Sequence, residues 1–326
     1  KRLKHELYMT QMERDLLKIG RNRKEGSLSQ VRQSHLYFAV KECHEENGYP
    51  VDQSCEMMRI SRAAFYRWAT GERSPRTAEN ERIADLVEDI HEKHPEMGYR
   101  RLKDELDRHH NTHVNDKRML RICRSRGIKS TIKYSNHGCT RQGKNPYYLA
   151  DNLLNREFKA DKPNQKWLTD VTEFKYYVGI EIKKVYLSAI LDLYDRRIVS
   201  YVIWDTNDNP LVFDTFRAAI AANPDAHPLS HSDRGFQYTN RAFHRMLTQA
   251  GMTQSMSRVA KCIDNGPMEG FWGILKRERY YGIRFTDRAS LVTMIEDFIQ
   301  YYNTERLQRN LGVFTPMEKH EMYFAA

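Results

Sequence analysis

Cysteine is scarce in this sequence, and its spacing excludes a disulfide framework. The 326 residues contain five cysteines, an odd number, and no two of them form a C-x-x-C pair. Disulfide-rich domains and cysteine-based metal sites both rely on paired cysteines, and His137 with Cys139 supplies too few ligands for a metal. We therefore expect reduced thiols in a cytoplasmic protein, at Cys43, Cys55, Cys123, Cys139 and Cys262.

The sequence also lacks a long apolar segment. No run approaches the roughly 20 apolar residues that a helix needs to cross a bilayer, and 29% of the residues are charged. A hydrophobic content of 40% is sufficient for buried cores. At 326 residues the chain is long enough for two or three compact domains, and a membrane protein is excluded.

Acidic residues are absent between Lys117 and Ala150, a stretch with nine Lys and Arg residues. Residues 1–160 hold 32 Lys and Arg against 23 Asp and Glu, whereas residues 161–326 hold 21 against 20. The net charge of +10 therefore lies almost entirely in the N-terminal half. Such clustering indicates a polyanionic partner, although histone-like and ribosomal proteins share the same bias.

Residues 1–28 are predicted to form a helix that pairs protomers. Met9, Met12, Leu16 and Ile19 occupy alternating a and d positions of a heptad repeat, although two heptads are too short for a stable coiled coil alone. The chain does not begin with Met, and we expect further sequence upstream. An amphipathic helix that packs on its own domain is the alternative.

Residues 29–72 are predicted to form a helix-turn-helix domain. The apolar positions indicate a helix, a short helix, a turn, and a third helix that follows Ser61, a favourable N-cap residue. Arg62 and Arg67 flank an aromatic anchor in that third helix, as in a helix that enters a major groove. An ordinary three-helix bundle fits the pattern equally well.

A second helix-turn-helix domain is predicted over residues 73–130, after a polar linker. Asn115 is placed to cap its last helix. Apolar residues of that helix can pack inward, which leaves its basic residues for phosphates or base edges. The candidate DNA contacts of this domain are Arg100, Arg101, Lys117, Arg118, Arg121 and Arg124. Residues 131–160 are predicted to be a basic connector.

After residue 164 the hydrophobic period changes from that of helices to that of strands. Three successive strands are predicted over 167–174, 184–192 and 198–204. A helix over 208–222, a strand over 228–232, a helix over 240–251 and a strand over 252–256 follow. A final helix is predicted around 291–302. This order indicates a mixed α/β sheet covered by helices, over residues 161–326.

Three acidic residues fall at key places of this α/β domain. Asp170 lies in the first strand, Asp233 at the end of a later strand, and Glu269 on a helix that begins with Gly266-Pro267. Singly, each could be a surface acid or a helix cap. Together they could hold the two Mg²⁺ or Mn²⁺ ions, about 4 Å apart, that phosphodiester chemistry uses.

The spacing of these acids, with 35 residues between Asp233 and Glu269, is similar to that of a known family. So are the segment D-N-x-x-x-E-x-F/W-x-x-x-L-K over residues 264–276 and the ending from Tyr302-Asn303 to Thr315-Pro316. Over nearly its whole length the chain resembles DDE transposases of bacterial insertion sequences, most closely the IS-three family, whose two reading frames are fused by frameshifting.

This resemblance implies a ribonuclease-H-like catalytic domain in which Asp170, Asp233 and Glu269 bind two Mg²⁺ or Mn²⁺ ions per active site. It implies nicking of the insertion-sequence ends and strand transfer, through a one-strand bridge and a circular intermediate. The implied partners are double-stranded DNA, both the terminal inverted repeats and the target, and further copies of the chain, at least a dimer. No membrane is involved.

Further residues of this domain are candidates for supporting roles. Lys276 is predicted to contact DNA, because the family carries a basic residue at this place and two helical turns separate it from Glu269. His231 and Asn265 adjoin the acids and are predicted to orient metal-bound water or substrate. Asp192 is interpreted as structural. Glu278 is a weaker candidate than Glu269, because it faces another side of the helix.

Two other functions are compatible with the sequence. A ribonuclease-H-like nuclease that only cuts DNA would not need paired DNA-binding units and a basic connector. A DNA-binding regulator with an inactive catalytic domain would not need an intact acidic trio. A strand-transfer assay distinguishes the first from a transposase, and a metal-dependent nicking assay distinguishes the second.

Overall fold

The computed structural model describes residues 2–26, 34–71, 75–132, 148–258 and 262–325, and its Cα positions form two compact units. One comprises residues 1–103 and 113–129, and the other comprises residues 104–112 and 130–326. The division therefore falls within the second predicted helix-turn-helix domain. Within the described ranges, no helix combines the length and the apolar character that a bilayer crossing requires.

The first unit begins with four helices around a small core: α1 (Arg2–Gly26), α2 (Ser34–Asn47), α3 (Val51–Met57) and α4 (Arg62–Ala69). Met12 and Leu16 of α1 are fully buried in this core. Ile19 is partly buried and packs against the same core, so three of the four heptad residues pack on their own domain, as the alternative interpretation has it. Protomer pairing by residues 1–28 stays a prediction.

The succession of helix, short helix, turn and helix over residues 34–69 agrees with the predicted arrangement. Phe65 is buried and anchors α4, whereas Arg62, Tyr66 and Arg67 are exposed. Ser61 occupies the N-cap position of α4, but the predicted side-chain cap is wrong, because its hydroxyl makes no capping hydrogen bond.

Three further helices follow: α5 (Pro75–Lys93), α6 (Tyr99–His109) and α7 (Asp116–Ser125). The predicted cap of α7 is confirmed, because the Asn115 side chain accepts a 2.7 Å hydrogen bond from the backbone N–H of Arg118. Burial of Met119 and Cys123 on one side of α7 leaves its basic side chains on the others, as expected of an amphipathic helix.

The second unit is built on a five-stranded sheet of order β3-β2-β1-β4-β5. Strands β1 (Lys166–Val178), β2 (Glu181–Asp192) and β3 (Ile198–Trp204) are antiparallel neighbours. Strands β4 (Leu229–Ser232) and β5 (Thr253–Met256) run parallel to β1. The predicted mixed sheet is confirmed, with helices α8 (Asn209–Ala222) and α9 (Arg241–Gln249) between the later strands.

Alternate residues of β1 enter two different cores, because successive side chains of a strand point to opposite faces. Trp167 packs with residues of α8 and α9 on one face. Leu168 and Phe174 pack on the other face with α10 (Gly266–Leu275) and α11 (Arg288–Thr304). Helix α10, which carries Glu269, is therefore held against the face to which Asp170 belongs.

Residues 148–160 pack on the sheet, where the sequence predicted an extended connector. Leu154 is buried in the core on the α10 side. The backbone N–H groups of Leu153 and Leu154 donate to Ser255 Oγ at 3.0 and 3.2 Å. The rest of the predicted connector, residues 133–147 with His137 and Cys139, lies outside the described residues.

A last helix, α12 (Pro316–Phe324), was not predicted from the hydrophobic period. Thr315 and Glu318 begin it with reciprocal side-chain-to-backbone hydrogen bonds, a capping box, and Pro316 occupies the first turn. The Thr315-Pro316 pair at the end of the family-like segment therefore begins a helix.

Candidate active site

Two of the three predicted acids are brought together by neighbouring parallel strands. Leu168 of β1 lies opposite His231 of β4. The same register, continued by two residues, places Asp170 level with Asp233, just beyond the end of β4. Neighbouring strands lie about 4.8 Å apart. The two carboxylates are therefore adjacent at one edge of the sheet.

A tight turn fixes the Asp233 side chain. Its Oδ1 accepts a 2.8 Å hydrogen bond from the backbone N–H of Gly235. A Cβ atom at Gly235 would lie 3.0 Å from that Oδ1 and 3.1 Å from Gln237 Oε1. A side chain at position 235 would therefore crowd the Asp233 carboxylate, which favours glycine in this turn.

Helix α10 brings the third acid to this edge. Asn265 Nδ2, just before the helix, donates to the carbonyl oxygen of Thr169 at 3.1 Å. Trp272 Nε1 donates to Asp170 Oδ2 at 3.0 Å. These two hydrogen bonds join α10 to β1 at Thr169 and at Asp170 itself. Glu269, three residues before Trp272 and hence on a similar helix face, is exposed.

Burial, together with neighbouring negative charge at Asp170 and Glu269, disfavours the ionised form of these carboxylates. Burial raises the pKa of Asp170 to about 7, and the charge of Asp233 and, less strongly, that of Glu269 add to the effect. Burial raises the pKa of Asp233, against the Gly235 N–H. Burial and then the charge of Asp233 raise the pKa of Glu269. No Lys or Arg among the described residues forms an ion pair with these acids.

This donor set suits a hard divalent cation. In the described part of the chain, no three His, Cys, Asp or Glu side chains are already grouped as metal ligands. Carboxylates that repel one another nevertheless gain most from an added positive charge, and carboxylate oxygens are the ligands that Mg²⁺ and Mn²⁺ prefer. The buried Asn265 Oδ1, which accepts no hydrogen bond from a described residue, adds an acceptor beside them.

Comparisons with known proteins agree with this geometry. Two integrase core domain families match residues 160–262 and 269–324, and an HTH-like domain family matches residues 78–135. The putative transposase InsK for insertion sequence element IS150 of Escherichia coli (strain K12) is 34% identical over 275 residues, which cover 83% of this chain and 93% of the relative. The chain belongs to the IS-three family of insertion-sequence transposases.

Other known proteins are similar to this transposase. The IS600 uncharacterized 31 kDa protein of Shigella sonnei is 33% identical over 272 residues, 82% of this chain and 98% of the relative. A solved magnesium complex of the HTLV-2 integrase catalytic core domain is 20% identical, covers 49% of this chain and 98% of that one, and has a TM-score of 0.38. The predicted fold is confirmed: an integrase-type, ribonuclease-H-like core preceded by HTH-like helices.

Lys276 of the transposase lies close to the acids, at the start of a π-helical turn, Lys276–Tyr280, that directly follows α10. Its Nζ is 5.1 Å from the centre of the Phe174 ring. Burial lowers the pKa of Lys276, while the charges of Asp170 and Glu173 act in the opposite direction. π-Helical turns occur frequently at functional sites. A DNA contact by Lys276 stays a prediction.

His231 is placed differently from Asn265. Its Nδ1 and Nε2 lie 2.8 and 3.1 Å from the hydroxyls of Ser255 and Ser257. Burial lowers the pKa of His231 to about 4, so the ring is neutral at physiological pH. Because both ring nitrogens are engaged by serines, the structure does not bring them to the carboxylates. The ring instead links β4 to the β5 edge.

Asp264 contributes to the site in a way that the sequence analysis missed. It is fully buried and accepts hydrogen bonds from Arg156 Nε at 2.6 Å and from Arg258 Nε at 2.9 Å. These arginines hold the pKa of Asp264 far below its usual range. Neither Asp264 nor Asn265 caps α10 through its side chain. Asp264 instead anchors the segment that leads into α10.

Two further acids have structural roles. Glu278, the weaker candidate, forms a buried ion pair with Arg306 at 2.8 Å. Asp192 is fully buried and accepts hydrogen bonds from the backbone N–H groups of Asn164 and Tyr194, at 2.6 and 2.8 Å. Burial, with the charge of Asp195, raises the pKa of Asp192 to about 6.

The predicted DNA contacts of α7 fall into two groups. Lys117, Arg121 and Arg124 are exposed and form no ion pair with a described residue. Arg118 instead donates to Glu79 Oε2 and Asn80 Oδ1, both at 2.7 Å. This contact with α5 engages the Arg118 guanidinium within the fold. A DNA contact by Arg118 stays a prediction.

The candidates of the other helices also differ in their surroundings. On α6, the Arg101 guanidinium lies 4.0 Å from the buried Glu96 carboxylate, and the exposed Arg100 lies over the Tyr99 ring. On α4, the predicted contacts Arg62 and Arg67 share an exposed surface with Tyr66, whose side chain is 53% exposed. Tyr66 was not among the predicted contacts, although it is an aromatic residue between two arginines in the sequence.

Proposed function

We propose that this transposase nicks the ends of its insertion sequence and joins the freed 3′-hydroxyl to a second phosphodiester, with Asp170, Asp233 and Glu269 as its catalytic residues. One observation carries the proposal. Three carboxylates whose pKa values are raised by burial, and for Asp170 and Glu269 also by the charge of Asp233, lie at one edge of an integrase core sheet, and none of them forms an ion pair with a described Lys or Arg. A fold gains nothing from such an arrangement by itself.

The residues present fit two Mg²⁺ or Mn²⁺ ions held by these carboxylates. When bound, such ions neutralise the negative charge that develops on the attacking and leaving oxygens of a phosphodiester. The chain itself holds Asp170 and Asp233 on adjacent strands and fixes Glu269 through α10. Asn265 Oδ1 is available to accept a hydrogen bond from water or substrate, and Lys276 supplies a fixed positive charge.

Binding of the DNA ends is assigned to the basic helices. Arg62 and Arg67 are exposed on α4, and Lys117, Arg121 and Arg124 are exposed on α7. This exposure supports base contacts by α4 in a major groove and phosphate contacts by α7. Arg100 and Arg101 on α6 are weaker candidates, because each already contacts a neighbour. Arg118, the remaining predicted DNA contact of α7, forms an ion pair with Glu79 of α5.

The family resemblance supports a more detailed reaction course. Two element ends are held in a multimer of at least two protomers in the cytoplasm, one strand bridges them, and a circular intermediate is released and later inserted. No covalent protein–DNA intermediate is needed, because the 3′-hydroxyl of the DNA is the nucleophile. Strand transfer distinguishes this course from that of a nuclease that only cuts.

The decisive experiment uses DNA that carries both element ends. Asp170→Asn, Asp233→Asn and Glu269→Gln should each reduce nicking by at least about 1,000-fold and leave end binding unchanged, since each removes one carboxylate without unfolding a domain. Asp205→Asn is the matched control, because Asp205 is an exposed acid of the same unit that pairs with Arg288. Near-normal nicking by any of the three variants would contradict the assignment.

A further inference from the structure

We infer that Trp272 is a positioning residue of the active site, whose indole N–H holds the Asp170 carboxylate in its metal-binding orientation. The inference deepens the proposed function and rests on it. Trp272 contacts no reacting atom in this assignment and acts only through Asp170.

The contact is a direct hydrogen bond between a core side chain and a catalytic carboxylate. Trp272 is buried, with 6% of its surface exposed, and its Nε1 lies 3.0 Å from Asp170 Oδ2. An indole N–H can only donate, whereas an ionised carboxylate only accepts. The bond therefore favours the ionised form of Asp170 and opposes the effect of burial on its pKa.

Packing alone does not explain a tryptophan at this position. The neighbouring core residues of α10 are Met268, Phe271 and Leu275, which fill space without a hydrogen-bond donor. Trp272 fills space as well, but its single polar atom is aimed at one of the three acids. The hydrogen bond restricts rotation of the Asp170 side chain and leaves Oδ1 free of the indole.

The position of Trp272 on α10 links two acids. Glu269 precedes it by three residues, about one helical turn, while Asn265 joins the start of the same helix to the backbone of β1. A shift of α10 along β1 would therefore change the Asp170–Glu269 separation and break both hydrogen bonds. Trp272 thus fixes a carboxylate on the strand relative to a carboxylate on the helix.

The effect on metal binding of losing a residue that orients a metal ligand is known approximately. Loss of such a partner typically weakens metal affinity or activity 10- to 100-fold. We expect Trp272→Phe, which keeps an aromatic ring and removes the donor, to weaken Mn²⁺ binding to the full chain by that factor. The readout is free Mn²⁺, measured by electron paramagnetic resonance without DNA or turnover.

The controls separate positioning from packing. Trp204→Phe changes an exposed tryptophan of the same unit and should leave Mn²⁺ binding unchanged. Benzothienylalanine at position 272 replaces the N–H by sulfur and preserves the ring shape, so it tests the donor even if Trp272→Phe perturbs the core. Melting temperatures of all variants report on the fold.

Three outcomes are informative. Weakened Mn²⁺ binding in both position-272 variants, with a wild-type melting temperature for the benzothienyl analogue, supports the inference. Binding within twofold of wild type in the benzothienyl analogue overturns it and leaves Trp272 as a core residue. If the wild-type chain binds no Mn²⁺ and nicks no DNA with it, the proposed function fails, and the inference fails with it.

Discussion

Helix α7 and the active site both carry clustered charge, but the surroundings of that charge differ within each region. On α7, Arg118 meets Glu79 of α5, whereas Lys117, Arg121 and Arg124 are exposed without an ion pair to a described residue. In the catalytic unit, Asp264 meets two arginines, whereas Asp170, Asp233 and Glu269 have like-charged neighbours. On α7 and in the active site, the charges that serve the fold have an opposite partner, whereas Lys117, Arg121, Arg124 and the three catalytic acids form no ion pair with a described residue.

The comparison has an energetic basis. Removal of the partner of a buried ion lowers the free energy of unfolding by several kcal/mol. A stable fold therefore requires that buried ions remain paired. Neighbouring carboxylates repel one another and lower the stability of the fold in the absence of a cation. Their presence therefore indicates a role other than stabilising the fold. Sequence composition cannot distinguish the two kinds of charge, because Asp264 and Asp233 are the same residue type in equally polar segments.

The largest stability effect should come from breaking a paired charge. Asp264→Asn removes the anion that Arg156 and Arg258 surround, and we expect the free energy of unfolding to fall by about 3 kcal/mol, because a buried hydrogen-bonded charge is lost. Urea unfolding at pH 7.5 measures this. Asp205→Asn, which breaks the exposed Asp205–Arg288 pair, should cost about 0–1 kcal/mol. Equal losses in the two variants would contradict the distinction.

Removal of one of the three neighbouring acids should have a smaller effect on stability and should raise the free energy of unfolding. The pKa of Asp170 is raised to about 7 in the folded chain from 3.8, so the folded state binds more protons than the unfolded state between these values, and stability falls as pH rises through that window. In EDTA, Asp170→Asn should therefore raise the free energy of unfolding by about 1–2 kcal/mol at pH 8.

At about pH 4, where the folded Asp170 is already protonated, the same variant should have little effect. Thermal unfolding of wild type and variant at both pH values measures the difference. If Asp170→Asn were less stable than wild type at pH 8, the Asp170 carboxylate would stabilise the metal-free fold, and the expected effect of the like charges would be wrong.

The smallest effect concerns a single exposed cation. Arg121→Gln should reduce the slope of log affinity for DNA against log salt concentration by about 1, because one phosphate contact and its released counterion are lost. Arg118→Gln is the matched control on the same helix and should leave the slope nearly unchanged while lowering stability slightly. Fluorescence anisotropy at several salt concentrations measures both. A larger change of slope for Arg118→Gln than for Arg121→Gln would show that Arg118, and not Arg121, contacts a phosphate.

Much of the catalytic fold could be predicted, because strand and helix periods are local properties. The three antiparallel strands, the later β4 and β5, and the α10 core residues Phe271 and Leu275 follow from spacing alone. Helix α12 was missed although Thr315, Pro316 and Glu318 form a recognisable helix start. The hydrophobic period is too weak a guide for a short terminal helix with few buried residues.

The acidic trio was predicted from spacing and resemblance, but its supporting contacts could not be. Trp272 and Asp170 lie 102 positions apart in the sequence, and Arg156 and Asp264 lie 108 apart. No local pattern encodes such pairs. His231 was assigned to the site because it is near Asp233 in sequence, yet a strand pattern gives the face of a side chain and not the atoms that its ring contacts.

The parallel pairing of β1 with β4 also sets an order of assembly. β1 and β2 meet across a short turn, with Val178 opposite Glu181, whereas Leu168 and His231 pair across 63 positions. Closing a longer loop costs more chain entropy, so the β1–β2 hairpin can form well before Asp233 arrives beside Asp170. During synthesis from the N-terminus, the ribosome releases the basic helices first and Glu269 last. A growing chain therefore completes α4 and α7 before its three carboxylates can meet.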